Sequence, residues 1–117
     1  MEQRNFVRVN FSAAVAIKCN DQVILGDIAN VSLQGLFIKT GKRIPVNLPV
    51  DVTIYPYPKT SFSLHADIVR REQNGVGIQI KEIDMQSFVH LRNVVAMQSD
   101  DHEAIINETF KMTCCIH

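Results

Sequence analysis

Two short stretches hold residues that could do chemistry. "RNFVR" places Arg4 and Arg8 four apart near the N-terminus, and "NVSLQG" runs from Asn30 to Gly35. A spacing of four puts both guanidinium groups on one side of the chain, since it is close to one helical turn and an even number of strand residues. Arginine offers a planar fork of donors and a face that stacks on flat rings. Two of them on one arm suit the gripping of phosphates or stacking on bases, but taken alone they are more often a solvated polar tail. Asn30 and Ser32 are two apart, so an extended segment points both the same way. Asn30 could hydrogen-bond a base edge, Ser32 could donate to a phosphate, and Gly35 permits a tight turn or a close backbone approach. The same three residue types also make an ordinary turn.

Other reactive residues fall into no such pattern. His65, His90, His102 and His117 lack metal-ligand spacing with acids or cysteines. Cys114-Cys115-x-His117 ends the sequence, where a frayed tail or partner contacts are expected before a ligand set. Arg70-Arg71 could extend a cationic rim but also suits a solvated turn. No nucleophile–base motif is present, so an enzyme is not expected, and neither a metal nor a cofactor.

Composition narrows the partners. Lys and Arg together number 12, Asp and Glu 12, for zero net charge. A nucleic-acid coat protein neutralises many phosphates and normally shows a basic surplus. Any phosphate ligand should therefore be small and held by few cations, and no DNA or RNA partner is expected. The three cysteines form no ladder or C-x-x-C pair, which suits a reducing compartment. "MEQRN" lacks the apolar region of a secretory signal, and no apolar run reaches a membrane span of roughly 18–20 residues. A soluble cytoplasmic protein is the expectation.

These side chains need elements to position them. Val15, Ile17 and Cys19 alternate with Ala16 and Lys18, and "CNDQ" supplies a turn. A second strand runs from about Val23 to Ala29; "NVSLQG" interrupts it and "LFIK" resumes as a third. "GKRIPVNLP" is a loop, because Pro45 and Pro49 deny ladder donors. Three alternating runs follow, on Val50, Val52 and Ile54, on Phe62, Leu64, Ala66 and Ile68, and on Val76, Ile78 and Ile80. "EQNG" ends in a hairpin Asn-Gly. Six strands on short loops favour a small antiparallel barrel, since closure removes exposed edges. After Ile83 the period changes: Asp84 caps a helix over about 85–97, with Phe88, Leu91 and Val95 on the barrel side. Asp100 with Glu103 resembles a capping box for a second helix, about 100–113, with Ile105, Ile106, Thr109, Phe110 and Met112 as its apolar stripe.

In register on this pattern, the motifs resemble the PilZ domains, bacterial receptors for cyclic di-GMP. That family carries R-x-x-x-R just before the first barrel strand, D/N-x-S-x-x-G after the second, and G-x-G-V/I-x-F/I late in the barrel. Here these are Arg4–Arg8, Asn30–Gly35 and "GVGIQI", Gly75 to Ile80. The resemblance covers roughly residues 3–97. It implies an all-β fold with an appended helix: a six-stranded antiparallel barrel followed by one or two C-terminal helices. The expected division is a flexible arm over 1–12, the barrel with its packed helix over 13–97, and a C-terminal helix and tail over 98–117.

By the resemblance, Arg4 and Arg8 clamp the phosphates and guanine faces of cyclic di-GMP, and Asn30 and Ser32 hydrogen-bond a guanine and a phosphate. Gly35 lets the ligand sit against the strand, and Gly77 lines the same surface. Many members have arginine just before R-x-x-x-R; here it is Gln3, the position that bears on whether one ligand or a stacked pair binds. Asn30 replaces a frequent Asp and offers one acceptor where a carboxylate offers two, so binding should be somewhat weaker. The output would run through an unidentified effector protein in second-messenger signalling. Motility, exopolysaccharide synthesis linked to biofilm, and pilus assembly are all compatible, as is a homodimer. The alternatives are a PilZ-like adaptor that binds protein and no nucleotide, and a small barrel for single-stranded nucleic acid. Seven per cent aromatic residues and zero net charge argue against the last.

Overall fold

The computed structural model describes residues 6–117. Its strands are β1 (Val9–Asn10), β2 (Ala14–Cys19), β3 (Gln22–Val31), β4 (Gly35–Lys39), β5 (Pro49–Tyr55), β6 (Phe62–Glu72) and β7 (Gly75–Glu82). Helices α1 (Met85–Gln98) and α2 (His102–Lys111) follow, then a 3-10 turn over Thr113–Cys115.

The alternating runs become half-buried strands. Val15, Ile17 and Cys19 of β2, Val50, Val52 and Ile54 of β5, and Phe62, Leu64, Ala66 and Ile68 of β6 all face the core. β2 pairs with β3 and β5, β5 with β6, β6 with β7, and β7 with β4. Pairing of β4 with β3 closes the barrel, and every pairing is antiparallel. A closed six-stranded barrel results, as the sequence predicts.

A seventh strand was not legible. β1 has only two residues and adds to β3, with Val9 opposite Val31 and Asn10 opposite Asn30. Val9 is buried. Two residues are too short to show a period, so the pairing leaves no mark in the sequence.

Helix α1 begins as expected. Asp84 is the N-cap, and the Ser87 N–H donates to its Oδ2 at 3.2 Å. Phe88, Leu91 and Val95 are buried. The second helix differs in detail from the sequence reading. Its cap is Asp101, whose Oδ1 accepts from Ala104 N–H at 3.2 Å, while Ser99 Oγ accepts from Asp101 N–H. Asp100 lies one residue too early for Ala104. Of the expected apolar stripe, Ile105 and Met112 are buried, but Ile106 and Phe110 are 52% and 70% exposed, and Glu108 is buried instead.

The end of the chain is docked rather than frayed. Ile83 N–H donates to Cys115 O at 2.9 Å, His117 N–H to Ile83 O at 2.9 Å, and Met85 N–H to His117 O at 3.0 Å. The tail forms a parallel bridge beside the end of β7. Among the described residues no helix is long and apolar enough to cross a membrane.

Candidate ligand groove

The two motifs meet at the start of the barrel. Pairing of β1 with β3 sets Asn10 opposite Asn30, and from two residues earlier the Arg8 guanidinium reaches across, donating from Nη1 to Asn30 Oδ1 at 2.5 Å. A bulge between Ile28 and Asn30 on β3 lies at the same place, a common device for re-aiming side chains near sites.

Ser32 does not share Asn30's orientation. It is 1% exposed, and its Oγ accepts from the N–H groups of Gln34 (3.1 Å) and Gly35 (3.2 Å). Its own N–H donates to Gly35 O at 2.8 Å. β3 ends at Val31, so the period-two argument stops one residue before Ser32. The hydroxyl staples the turn into β4.

Gly35 stands where a side chain cannot. A Cβ there would lie 2.1 Å from the Ile78 carbonyl oxygen of β7. The glycine thus lets two strand backbones close, and only secondarily opens space above them. Gly77 is different: its Cβ would meet the tip of the Arg70 side chain, with Cζ and Nη2 both at 3.2 Å.

Arg70 is the residue that sequence reasoning undervalued. A second bulge lies between Ile68 and Arg70, leaving Val69 half exposed and placing Arg70 opposite Gly77. Arg70 Cζ sits 5.8 Å from the Phe37 ring centroid, and its Nε donates to Glu72 Oε2 at 2.7 Å. These contacts on either side fix the guanidinium, and with half of the side chain exposed it can still reach a ligand. The available signal was Gly77 itself: a glycine inside a strand marks close approach by something large.

Together these residues shape a groove of about 280 Å³. Arg8 and Arg70 stand in its walls, Gly35 and Gly77 lie along β4 and β7, and the Gln34 and Gln79 amides add donors and acceptors. Arg8, Gly35 and Gly77 therefore come together as the sequence reading grouped them. Asn30 and Ser32 do not line the groove; the first binds Arg8 and the second holds the turn. Gln3 and Arg4 lie outside the described residues. Such a groove suits an anion with flat rings, through forked donors, stacking faces and glycine floors. Among the described residues, no group of histidine, cysteine and acidic side chains is placed to hold a metal ion.

The PilZ domain family model matches residues 2–97. The chain belongs to the PilZ domain family. Solved structures agree at the level of the fold. The PilZ domain of CeSA from a cellulose-synthesizing bacterium superposes with a TM-score of 0.63 at 16% identity, covering 76% of this chain and 94% of that one. The Bacillus subtilis inhibitor of motility gives 0.66 at 15% identity, over 84% of this chain and 50% of that one, so this PilZ chain spans about half of that protein. An uncharacterized Legionella protein gives 0.50 at 16% identity, covering 83% and 98%. No curated protein sequence matches the chain.

Proposed function

We propose that this PilZ protein is a cytoplasmic cyclic di-GMP receptor, a binding module rather than an enzyme, which passes nucleotide occupancy to a partner protein. The observation that carries the reading is the Arg8–Asn30 hydrogen bond beside the Arg70–Gly77 groove. It joins the R-x-x-x-R and N-x-S-x-x-G segments at a surface already furnished with a second guanidinium. In this reading Arg8 and Arg70 hold phosphate oxygens or guanine faces, Arg4 adds a further clamp, and Asn30 aims Arg8 or exchanges it for a guanine edge. Ser32 and Gly35 shape the floor, and Gln3 sits where stoichiometry is decided.

Each part of the ligand fits a feature of the groove. Cyclic di-GMP has two phosphates and two flat purines, and forked guanidinium groups serve both. Zero net charge suits a small dianion better than a polyanion. One relative is by name an inhibitor of motility, so motility machinery is the first place to seek the effector.

Titration calorimetry with cyclic di-GMP, GMP and a short oligonucleotide tests the reading. Saturable binding of cyclic di-GMP on the order of micromolar or tighter, with GMP and oligonucleotide far weaker, is expected. Tight oligonucleotide binding would move the assignment to single-stranded nucleic acid. No binding to any of the three would leave a protein-binding adaptor.

A further inference from the structure

Helix α2 lies beyond the residues matched by the family model, yet it touches the arginine arm at consecutive residues. Glu108 Oε2 accepts from the Val7 N–H at 2.8 Å, across 101 residues of sequence. One turn on, Lys111 Nζ stands 5.9 Å from the Phe6 ring centroid. Val9 then enters β1, so Arg8 is the residue between an α2 anchor and a barrel anchor.

Glu108 is an expensive residue for that place. Only 3% of it is exposed, and its second oxygen, Oε1, has no hydrogen-bond partner among the described residues. Burial pushes its carboxyl above the ordinary range; Asp101 pushes the same way, while the Val7 N–H and Lys111 pull back. An apolar side chain would pack there at less cost. What the carboxylate adds is an acceptor for a backbone donor of the arm.

We propose that Glu108 is a positioning residue for Arg8, tying α2 to the arginine arm so that nucleotide affinity and the state of α2 are coupled. The proposal rests on the nucleotide reading given above. Holding Val7 fixes the approach of Arg8 to the groove before ligand arrives and reduces the ordering cost of binding. Coupling is reciprocal, so a ligand that grips Arg8 must also favour the docked state of α2. The helix thereby becomes the element through which a partner senses occupancy.

The test compares Glu108→Leu and Glu108→Gln in the full chain. Glu108→Leu removes the acceptor and should weaken cyclic di-GMP binding about tenfold, the size of one hydrogen bond to a charged group. Its melting temperature should be unchanged or higher, because a buried carboxylate with one unpaired oxygen is gone. Glu108→Gln keeps an oxygen for Val7 and should bind within about twofold of wild type. A purely structural role would move stability and affinity together, and equal affinity in Glu108→Leu and wild type would overturn the proposal. Amide exchange at Val7 separates the two readings. If the wild-type chain binds no cyclic di-GMP, the functional reading fails, and faster Val7 exchange in Glu108→Leu still supports the anchor, whereas equal exchange removes it. Should Glu108→Leu not fold, Val7 exchange in the wild-type chain decides. Protection that rises with nucleotide supports the coupling, and exchange as fast as in an open chain, with or without nucleotide, refutes it.

Discussion

At the scale of single residues, the candidate groove depends on two guanidinium groups and two glycines with different duties. Arg8→Ala and Arg70→Ala each remove a charge-assisted donor set worth roughly 1.5–3 kcal/mol. Each should weaken cyclic di-GMP binding about 10- to 100-fold without unfolding the barrel, as calorimetry and circular dichroism would show. Unchanged affinity in a folded Arg8→Ala protein would remove Arg8 from the site. The glycines should separate stability from binding. Gly35→Ala drives a Cβ to 2.1 Å from a β7 carbonyl and should destabilise by roughly 1–3 kcal/mol in a denaturant titration. Gly77→Ala brings a Cβ to 3.2 Å from the Arg70 guanidinium and displaces that side chain rather than a backbone, so it should fold normally and bind more weakly. Arg8, Gly35 and Gly77 were legible because their motifs fix type and spacing. Arg70 was not, because a bulge at Val69 re-aims it and bulges leave no periodic signal. The inward orientation of Ser32 was not legible, because period two holds only within a strand and β3 ends at Val31.

At the scale of elements, β5, β6 and β7 were readable from period two, and α1 from its cap and stripe. The losses came where local rules compete. Asp100 and Asp101 are equivalent in type, and only the Ala104 N–H chooses between them. Ile106 and Phe110 look like core at helical spacing, yet α2 turns Glu108 inward. The Asp84 cap gives an element-scale test. Ser87, through its side chain and then its backbone N–H, holds the Asp84 carboxyl below its ordinary value. A depressed carboxyl stabilises the fold above its unfolded pKa, and this contribution is lost as pH falls through the folded value. Asp84→Asn should therefore lower the melting temperature at neutral pH and reduce its further fall below about pH 4. An acid-induced fall as large in the variant as in wild type would show that the cap carboxylate plays no part.

At the scale of the whole molecule, the barrel brings residues 8, 35, 70 and 77 to one groove, and β1 and α2 hold the arm that reaches it. Charge balance predicts how binding responds to salt. A cyclic dinucleotide has two phosphates and no polymer counterion atmosphere, so a log–log plot of affinity against salt should have a slope no steeper than about 2. A slope several times steeper would indicate a polyanionic ligand instead. The most direct test of the central claim is a two-dimensional amide NMR titration with cyclic di-GMP. The largest shifts should fall on Arg8, Gln34 to Leu36, Arg70 and Gly77 to Gln79, the residues of the groove. Shifts absent from those residues, or gathered instead around Asp51, His65 and Lys81 at the separate cleft those residues line, would contradict it.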